Sequence, residues 1–407
     1  MTCGLLGRKL GHSYSPQIHA RMADYEYVLF EKEPEELGDF LRNGNFSGIN
    51  VTAPYKKDVI PYLDELSPTA KRLGAVNTIV RRNGRLIGHN TDYLGFLTMV
   101  RASGVQVSGK KVLVLGSGGA SNTAVAGLRE LGANVVIISR SGDDHYGNLD
   151  RHGDAAVIVN TTPVGMYPNT DCSPIDLTQF PRLEGVLDVI YNPARTMLLR
   201  QAEDLGLPAV NGLLMLVAQA KEASEWFSGQ SLDPELIPAV LGLLRRQMEN
   251  IVLIGMPGCG KSTIGRMVAD SLGKRFVDAD AAIEEFAGRS IPQIFEEDGE
   301  SGFRELETAI LRELGKQSGL VIATGGGCVT RQENHSLLHQ NGRIIWLQRE
   351  LTELPTAGRP LSQRGSLEEM YRIRKPLYAN FADHTIQNSG SPDVVAGKIV
   401  QLWEEGL

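Results

Sequence analysis

Two stretches far apart in the chain share one pattern: a continuous apolar run, a glycine-rich turn and then helical spacing. In the first stretch these parts occupy 111–115, 116–121 and 122–131. In the second they occupy 251–254 and 255–262, followed by a helix through Leu272. Continuous apolar runs are typical of parallel strands covered by helices on both faces. The pattern therefore predicts an α/β fold in both places.

The residues before the first glycine turn alternate between predicted strands and helices, which indicates a separate small α/β unit. The strands are predicted at 27–31 and 48–51, and the helices at 17–23, 34–41 and 68–73. Helical spacing recurs at 213–226 and 234–246, and we expect these two helices to pack back on this first unit. Only 247–250 then remain before the next strand, so the junction is short.

Composition and charge narrow the class of protein. Of 407 residues, 42% are hydrophobic and 22% are charged, which is typical of folded globular domains. The 48 acidic and 41 basic side chains give a net charge of -7, which disfavours nucleic-acid binding. The chain has no apolar run of about 18 residues and its first residues do not resemble a signal peptide, so we expect a cytoplasmic protein with no membrane partner. The four scattered cysteines disfavour a disulfide framework or a zinc site.

The second glycine turn, Gly255-x4-Gly260-Lys261-Ser262, fits the phosphate-binding loop pattern. Backbone amides of such a loop face nucleotide phosphates, the lysine supplies a positive charge, and the serine hydroxyl can bind Mg²⁺. The alternative is a strand-to-helix turn that binds nothing. The residues predicted to bind ATP are Gly258, Cys259, Gly260, Lys261, Ser262 and Thr263.

Five further motifs follow the loop in a fixed order. They are Phe276-Val277-Asp278-Ala279-Asp280, Gly302-Phe303-Arg304-Glu305-Leu306-Glu307, Thr324-Gly325-Gly326-Gly327, Gly358-Arg359-Pro360-Leu361 and Arg374-Lys375-Pro376-Leu377-Tyr378. With the loop, these motifs resemble shikimate kinase over nearly all of 250–407. The resemblance implies a P-loop α/β kinase domain with a parallel sheet.

The resemblance also implies roles for single residues. We expect Asp278 and Asp280 to point to opposite sides of a strand end, with Asp278 facing Mg²⁺ and Asp280 acting as the base on the substrate hydroxyl. Arg304 and Arg374 correspond to the arginines that hold the substrate carboxylate, a task suited to a planar guanidinium. Two further roles follow: Gly325, Gly326 and Gly327 let the backbone approach the substrate ring, and Arg359 neutralises charge on the transferring phosphoryl group.

The first glycine turn, Gly116-x-Gly118-Gly119-Ala120, is a weak signal by itself, but it lies between a predicted strand and helix. The next strand, 134–139, ends at Arg140. An acidic residue there would favour NAD, whereas a basic one suits the 2′-phosphate of NADP. The alternative is that Arg140 is an ordinary exposed charge.

Seven motifs in the first 248 residues resemble shikimate dehydrogenase in family order. They are Gly11-His12-Ser13-Tyr14-Ser15-Pro16, Gly48-Ile49-Asn50-Val51-Thr52-Ala53-Pro54-Tyr55-Lys56, Gly74-Ala75-Val76-Asn77-Thr78, Asn90-Thr91-Asp92, Asn160-Thr161-Thr162-Pro163-Val164-Gly165-Met166, Asp188-Val189-Ile190-Tyr191-Asn192-Pro193 and Met215-Leu216-Val217-Ala218-Gln219-Ala220. The resemblance implies an α/β substrate domain and a Rossmann-like NADP domain.

Reduction of a ketone by hydride leaves an alkoxide that must be protonated, so the site needs a general acid. The resemblance makes Lys56 that acid and Asp92 its partner. It makes Ser13 and Ser15 carboxylate-binding hydroxyls. The other contacts that it implies are Thr52, Asn77, Tyr191 and Gln219 for the substrate, and Gly116, Gly118, Gly119, Ala120, Arg140, Gly212 and Met215 for NADP(H).

Two features depart from the dehydrogenase family. The second strand ends in Ser139-Arg140-Ser141, where the family usually has Asn-Arg-Thr. Only 141–154 separate that strand from the next, at 155–159, and three glycines make a long helix there improbable. We therefore predict an abbreviated cofactor domain.

Together these patterns predict a bifunctional enzyme that takes small-molecule substrates, with NADP(H), ATP and Mg²⁺ as its cofactors. Its domains are predicted at 1–103 plus 212–248 for the dehydrogenase substrate, 104–211 for NADP, and 249–407 for the kinase. Alternatives remain open: a dehydrogenase part that is inactive or prefers quinate or another analogue, or a P-loop ATPase associated with nucleic acid. The acidic charge disfavours the last.

Overall fold

The computed structural model describes residues 1–11, 13–354 and 367–406. His12 of the first dehydrogenase motif and Arg359 lie outside the described residues. Contacts between Cα atoms divide the chain into two units. Unit 1 comprises 1–191 and 196–241, and unit 2 comprises 192–195 and 242–407.

Unit 1 begins with a mixed sheet. Its strands are β1 (Thr2–Gly7), β2 (Glu26–Glu31), β3 (Gly48–Val51), β4 (Glu65–Leu66), β5 (Thr78–Arg82) and β6 (Arg85–His89), and its helices are α1 (Ser15–Met22), α2 (Leu37–Asn43), α3 (Pro68–Leu73) and α4 (Asp92–Ala102). The strand order is β2-β1-β3-β5-β6-β4, with β5 antiparallel to both neighbours. The predictions of a strand at 48–51 and a helix at 68–73 are confirmed.

The second sheet of unit 1 is parallel throughout. Its strands are β7 (Lys111–Leu115), β8 (Asn134–Ile138), β9 (Val157–Asn160), β10 (Gly185–Asp188) and β11 (Ala209–Val210), and α5 (Gly119–Glu130) and α6 (Met197–Asp204) accompany them. The order is β11-β10-β9-β7-β8. β9 and β10 are buried along their whole length, as strands covered on both faces should be. Two further helices follow, α7 (Leu213–Ser228) and α8 (Leu236–Met248).

The connection from β8 to β9 is as short as the sequence predicts. Its helical content is one 3₁₀ turn, Leu149–His152, in place of the usual α-helix. The chain first doubles back, so that Ser139 N donates to Asp144 O at 3.2 Å and Ser139 forms a bridge with His145. The prediction that this crossover lacks a long helix is confirmed.

Unit 2 contains a third sheet, which is also parallel. Its strands are β12 (Asn250–Ile254), β13 (Arg275–Asp278), β14 (Leu320–Ala323), β15 (Gly342–Gln348) and β16 (His384–Gln387) in the order β13-β14-β12-β15-β16. Its helices are α9 (Lys261–Leu272), α10 (Ala279–Ala287), α11 (Ile291–Glu297), α12 (Gly299–Lys316), α13 (Glu333–His339), α14 (Leu367–Phe381) and α15 (Pro392–Glu404). The carboxyl ends of β12, β13 and β14 lead into the motifs at 255–262, 278–280 and 324–327. Ligands of parallel sheets bind at this edge.

No helix within the described parts of the chain is both long and apolar enough to cross a membrane.

Candidate active sites

A lysine–aspartate pair lies at the edge of the first sheet of unit 1. Lys56 is in the loop after β3, and Asp92 is the first residue of α4. Lys56 Nζ lies 2.6 Å from Asp92 Oδ2, with side chains 33% and 17% exposed. The positive end of the α4 dipole favours the aspartate carboxylate. The pair is thus half-buried, with the ammonium held in place and still accessible to a ligand.

The pair faces a cavity of about 280 Å³. The predicted residues that line it are Ser13, Ser15, Thr52, Lys56, Asn77, Asp92, Ala120, Tyr191, Gly212, Met215 and Gln219. They come from loops beside both sheets and from the helices α1, α4, α5 and α7, so separate parts of the sequence meet at one place. Its volume is near the lower end of the range for small-ligand sites.

A buried polar network fixes the amide side chains of this cavity. Asn77 Nδ2 donates to Thr91 Oγ1 at 3.0 Å, and Asn77 Oδ1 accepts from Thr91 N at 2.7 Å. Gln219 Oε1 accepts from Asn77 Nδ2 at 3.4 Å. Asn50 also lines the cavity, and it accepts a hydrogen bond from the Tyr27 hydroxyl at 2.7 Å. Asn50 has no predicted role, although it lies inside the dehydrogenase motif at 48–56.

The glycine turn after β7 has room for a ligand. Gly116 has a φ of 107°, which favours glycine. A Cβ added to Gly118 or Gly119 would meet nothing within 4 Å, so the amino end of α5 is open. Arg140 is exposed just after β8. An open helix start and an unobstructed guanidinium fit a dinucleotide with a 2′-phosphate.

Two motif residues of the second sheet prove to be structural. Asp188 ends β10 and accepts hydrogen bonds from Asn160 Nδ2 at 3.0 Å and from Thr196 Oγ1 at 2.8 Å. Burial raises the pKa of Asp188 to about 6. These bonds hold the turn that leads to Tyr191, so Asn160 and Asp188 shape the loops around the cavity.

Glu222 lies on α7, one turn beyond Gln219. Its Oε2 is buried and has no hydrogen-bond partner among the described residues. Burial is the main cause that raises the pKa of Glu222 to about 7, from an ordinary 4.5. The folded protein therefore holds this proton more tightly than the unfolded chain.

We expect Glu222→Gln to change how the stability of unit 1 depends on pH. Because the folded pKa is raised, the free energy of unfolding of the wild type falls as pH rises from about 4.5 to about 7. The glutamine variant loses this dependence and gains about 1–3 kcal/mol at pH 8. Urea unfolding of the whole chain, monitored by hydrogen exchange of peptides from 213–228, measures this pH dependence. The exposed Glu235→Gln is the control, and equal pH slopes for wild type and Glu222→Gln would contradict the expectation.

The loop after β12 in unit 2 folds around its lysine. Lys261 Nζ donates to Gly255 O at 2.9 Å and to Met256 O at 3.1 Å. Gly258 and Gly260 have φ values of 85° and 93°. The Cys259 side chain is fully buried and does not line the cavity, so it fills space beneath the loop.

A cavity of about 690 Å³ opens above this loop. Of the predicted residues, those that line it are Gly258, Gly260, Lys261, Ser262, Thr263, Asp278, Asp280, Arg304, Gly326, Gly327 and Arg374. It is large enough for a drug-sized or nucleotide-sized ligand. Asn388, which sequence analysis did not assign, lines it too and donates from Nδ2 to Cys259 O, fixing the loop from outside.

The oxygen groups at the amino end of α9 suit a hard divalent cation. Ser262 Oγ donates to Asp278 Oδ2 at 2.6 Å, so a hydroxyl and a carboxylate lie side by side. No group of three or more His, Cys, Asp or Glu side chains that could hold a metal is found in 1–11, 13–354 and 367–406. Mg²⁺ commonly binds through one or two protein oxygens together with nucleotide phosphates, so these residues fit it.

Asp278 and Asp280 were expected to point to opposite sides because both lie at a strand end, and this reasoning is wrong. Residues i and i+2 of a strand share a face, and here the strand ends at Asp278. Asp278 caps α10, with Oδ1 accepting from Asp280 N at 3.0 Å, whereas Asp280 lies in the first helical turn. The start of α10, and not strand alternation, gives the two carboxylates different surroundings.

A buried ion pair holds Arg304 in place. Arg304 Nη1 lies 2.6 Å from Glu307 Oε2 on the next turn of α12, and the Glu307 side chain is fully buried. Arg374 donates to Gly326 O at 3.2 Å. Both arginines are therefore positioned before any ligand binds.

Asp280 and Glu307 each present a free carboxylate oxygen to the same place. Asp280 Oδ1 and Glu307 Oε1 are buried and lack a hydrogen-bond partner among the described residues. Burial raises the pKa of both carboxyl groups. A ligand hydroxyl is the kind of donor that these oxygens lack.

The three glycines after β14 make room for protein side chains as well as for a ligand. A Cβ at Gly325 would lie 2.7 Å from Glu307 Oε1 and 2.8 Å from Asp280 Oδ1. At Gly327 it would collide with the Arg304 guanidinium, and at Gly326 it would lie 2.6 Å from Pro257 Cδ. The predicted reason, approach of the backbone to a substrate ring, is therefore incomplete.

Loss of the Glu307 carboxylate should destabilise unit 2. Glu307→Ala leaves the Arg304 guanidinium buried without its closest partner, which costs about 3 kcal/mol in unfolding free energy. Glu305→Ala, at an exposed position of the same helix, should change stability by less than about 0.5 kcal/mol. Urea unfolding of both full-length variants measures the difference. Equal stabilities would show that Arg304 is well solvated without Glu307.

The folds and cavities define the class: an α/β unit with the features of a dinucleotide-dependent dehydrogenase, joined to a P-loop unit with the features of a kinase. Residues 5–79 match the model of the shikimate dehydrogenase substrate binding domain, and 257–404 match the shikimate kinase model. The shikimate dehydrogenase (NADP(+)) of Clostridium perfringens strain SM101 is 37% identical over 252 residues, which span 56% of this chain and 93% of that protein. The chain belongs to the shikimate dehydrogenase family, and its unit 2 is a shikimate kinase domain.

Solved structures agree with the assignment of the chain to the shikimate dehydrogenase family. A chorismate mutase/shikimate 5-dehydrogenase fusion protein from Clostridium acetobutylicum is 35% identical, with a TM-score of 0.57 over 60% of this chain and 96% of that chain. Shikimate 5-dehydrogenase from Thermus thermophilus, in complex with NADP(H) and shikimate, is 32% identical, with a TM-score of 0.54 over 59% of this chain and 98% of that chain. The first of these shows that such a domain occurs in fusions.

Proposed function

We infer that the chain is a bifunctional enzyme of the shikimate pathway. Unit 1 reduces 3-dehydroshikimate to shikimate with NADPH, and unit 2 phosphorylates the 3-hydroxyl of shikimate with MgATP. The observation that carries the proposal is that the 2.6 Å Lys56–Asp92 pair and the P-loop each open onto a cavity lined by the substrate-binding residues predicted for that unit. The product of the first reaction is the substrate of the second.

In unit 1 the protein binds, orients and protonates. NADPH supplies the hydride when bound. We propose that the Ser13 and Ser15 hydroxyls bind the substrate carboxylate, while Asn77 and Gln219, already fixed by their network, orient the ring. Lys56 Nζ then donates a proton to the alkoxide oxygen, and Asp92 holds the ammonium in position for that transfer.

In unit 2 the protein neutralises charge and removes a proton. Mg²⁺, when bound with ATP, offsets the charge of the phosphates. We propose that Arg304 and Arg374 bind the carboxylate of shikimate, and that Asp280 accepts the proton of its 3-hydroxyl. Lys261 would exchange its loop carbonyl partners for the phosphates. For the remaining predicted residue, Arg359, we propose the neutralisation of charge on the transferring phosphoryl group.

Two separate assays of the full-length protein test the proposal. We expect NADPH oxidation that requires 3-dehydroshikimate, and ATP consumption that requires shikimate. NADPH oxidation with a quinate-type ketone but not with 3-dehydroshikimate would show altered specificity. ATP consumption that ignores shikimate and responds to DNA would refute the kinase assignment.

A further inference from the structure

The turn after β8 carries an unusual charge for a site that receives a phosphate. Between 139 and 150, Arg140 is the single lysine or arginine, and Asp143 and Asp144 follow it closely. These three side chains sum to a charge of about -1 at neutral pH. A 2′-phosphate brings a further charge of about -1.5 to -2 to this turn.

The backbone keeps the two acidic residues next to the arginine. The bond from Ser139 N to Asp144 O, at 3.2 Å, closes the turn, and Ser139 also bridges to His145. Three peptide units separate Arg140 from Asp143, so their Cα atoms are at most about 10 Å apart. This is about one Debye length at physiological salt, so charges at this distance are only partly screened from one another.

The two aspartates differ in how firmly they are held. Asp144 Oδ1 lies 3.0 Å from His152 Nε2, which anchors that carboxylate to the 3₁₀ turn. The Asp143 side chain is exposed, and within the described residues its one hydrogen bond is at the backbone carbonyl, which accepts from Asn148 Nδ2 at 2.9 Å. Further along, Asp150 and Arg151 are exposed neighbours of opposite charge, so together they add no net field.

We infer that Asp143 and Asp144 set the cofactor specificity of unit 1, so that it discriminates only weakly between NADP(H) and NAD(H). The inference rests on the proposed dehydrogenase function. Arg140 attracts the 2′-phosphate, and the acidic pair opposes part of that attraction. NAD(H) lacks the phosphate and is unaffected by either, provided that the open turn at 116–119 accepts the pyrophosphate.

Binding measurements on the full-length protein test this directly, with NADP⁺ and NAD⁺ as the titrants in calorimetry at fixed salt. We expect the dissociation constants of the wild type to differ by less than about tenfold. At about 10 mM salt, where the Debye length is about 30 Å, Asp143→Asn should tighten NADP⁺ about twofold and leave NAD⁺ unchanged, the effect of one charge on a near-dianion about 10 Å away in water. Asp24→Asn, which removes the same charge from an exposed aspartate outside this connection, is the matched control and should change neither dissociation constant. Arg140→Gln should weaken NADP⁺ at least tenfold and change NAD⁺ less than twofold.

The NAD⁺ titration also reports whether each variant is folded. A wild type that binds NADP⁺ more than tenfold tighter than NAD⁺, or an Asp143→Asn variant with an unchanged ratio of the two constants, would overturn the inference. A wild type that binds neither nucleotide would refute the dehydrogenase function itself, which is a different outcome.

Discussion

Replacing Lys56 with alanine is expected to lower the kcat of NADPH-dependent reduction by about 10²–10⁴-fold, the usual contribution of a positioned general acid. Lys56 Nζ is the cationic donor at 2.6 Å from Asp92 in a cavity of about 280 Å³, and alanine leaves the nascent alkoxide with only solvent to protonate it. Because the pair is partly exposed, the fold should lose less than about 1 kcal/mol. Kinase turnover should not change, since Lys56 belongs to unit 1.

The adjacent Lys57 provides the control, because it is exposed and does not line the cavity. Lys57→Ala should keep the reductase rate within about twofold of wild type. Steady-state rates of NADPH oxidation at saturating 3-dehydroshikimate measure both variants. A Lys56→Ala enzyme as fast as Lys57→Ala would show that another group supplies the proton.

Replacing Lys261 with methionine is expected to lower kinase turnover by about 10²–10³-fold and to leave the reductase unchanged. Lys261 is only 8% exposed and its Nζ is held by two loop carbonyls, so the ammonium is fixed within the loop that we propose binds the phosphates. Methionine keeps the length and apolar stem of the side chain and removes its charge. The transition state of phosphoryl transfer, rich in negative charge, should therefore suffer most.

Lys398→Met is the matched control for this prediction, because Lys398 is exposed on α15 and makes the same change of charge. ADP release with shikimate and MgATP measures kcat for both variants. Retention of wild-type kcat by Lys261→Met would mean that the loop binds a different ligand.

The sequence was informative where a local pattern decides structure. The apolar runs of β7 and β12 and the glycine turns behind them define parallel strands and helix starts with no need of distant contacts. Likewise, three glycines between β8 and β9 were enough to predict a crossover without a long helix. The helix after the first turn nevertheless starts at Gly119, inside the glycine run, because Gly118 can serve as its N-cap.

The sequence was less informative where long-range packing decides. Asn50 and Asn388 look like ordinary turn or strand residues, and only the folded chain brings them to the cavities. The need for glycine at position 327 is also a long-range effect. A Cβ there would collide with the guanidinium of Arg304, which lies on a helix that begins at 299. The i, i+3 spacing of Arg304 and Glu307 on one helix was a signal that could have revealed their ion pair.

The most direct test of the central claim is a coupled reaction of the full-length protein with 3-dehydroshikimate, NADPH and MgATP. Absorbance at the NADPH band and phosphorus NMR of the products are followed together. We expect one shikimate 3-phosphate for each NADPH oxidised, formation of this phosphoester about 10²–10⁴-fold more slowly with Lys56→Ala, and accumulation of shikimate with Lys261→Met. NADPH oxidation by the wild type without any phosphoester at saturating MgATP, or phosphorylation of added shikimate without any NADPH oxidation, would contradict it.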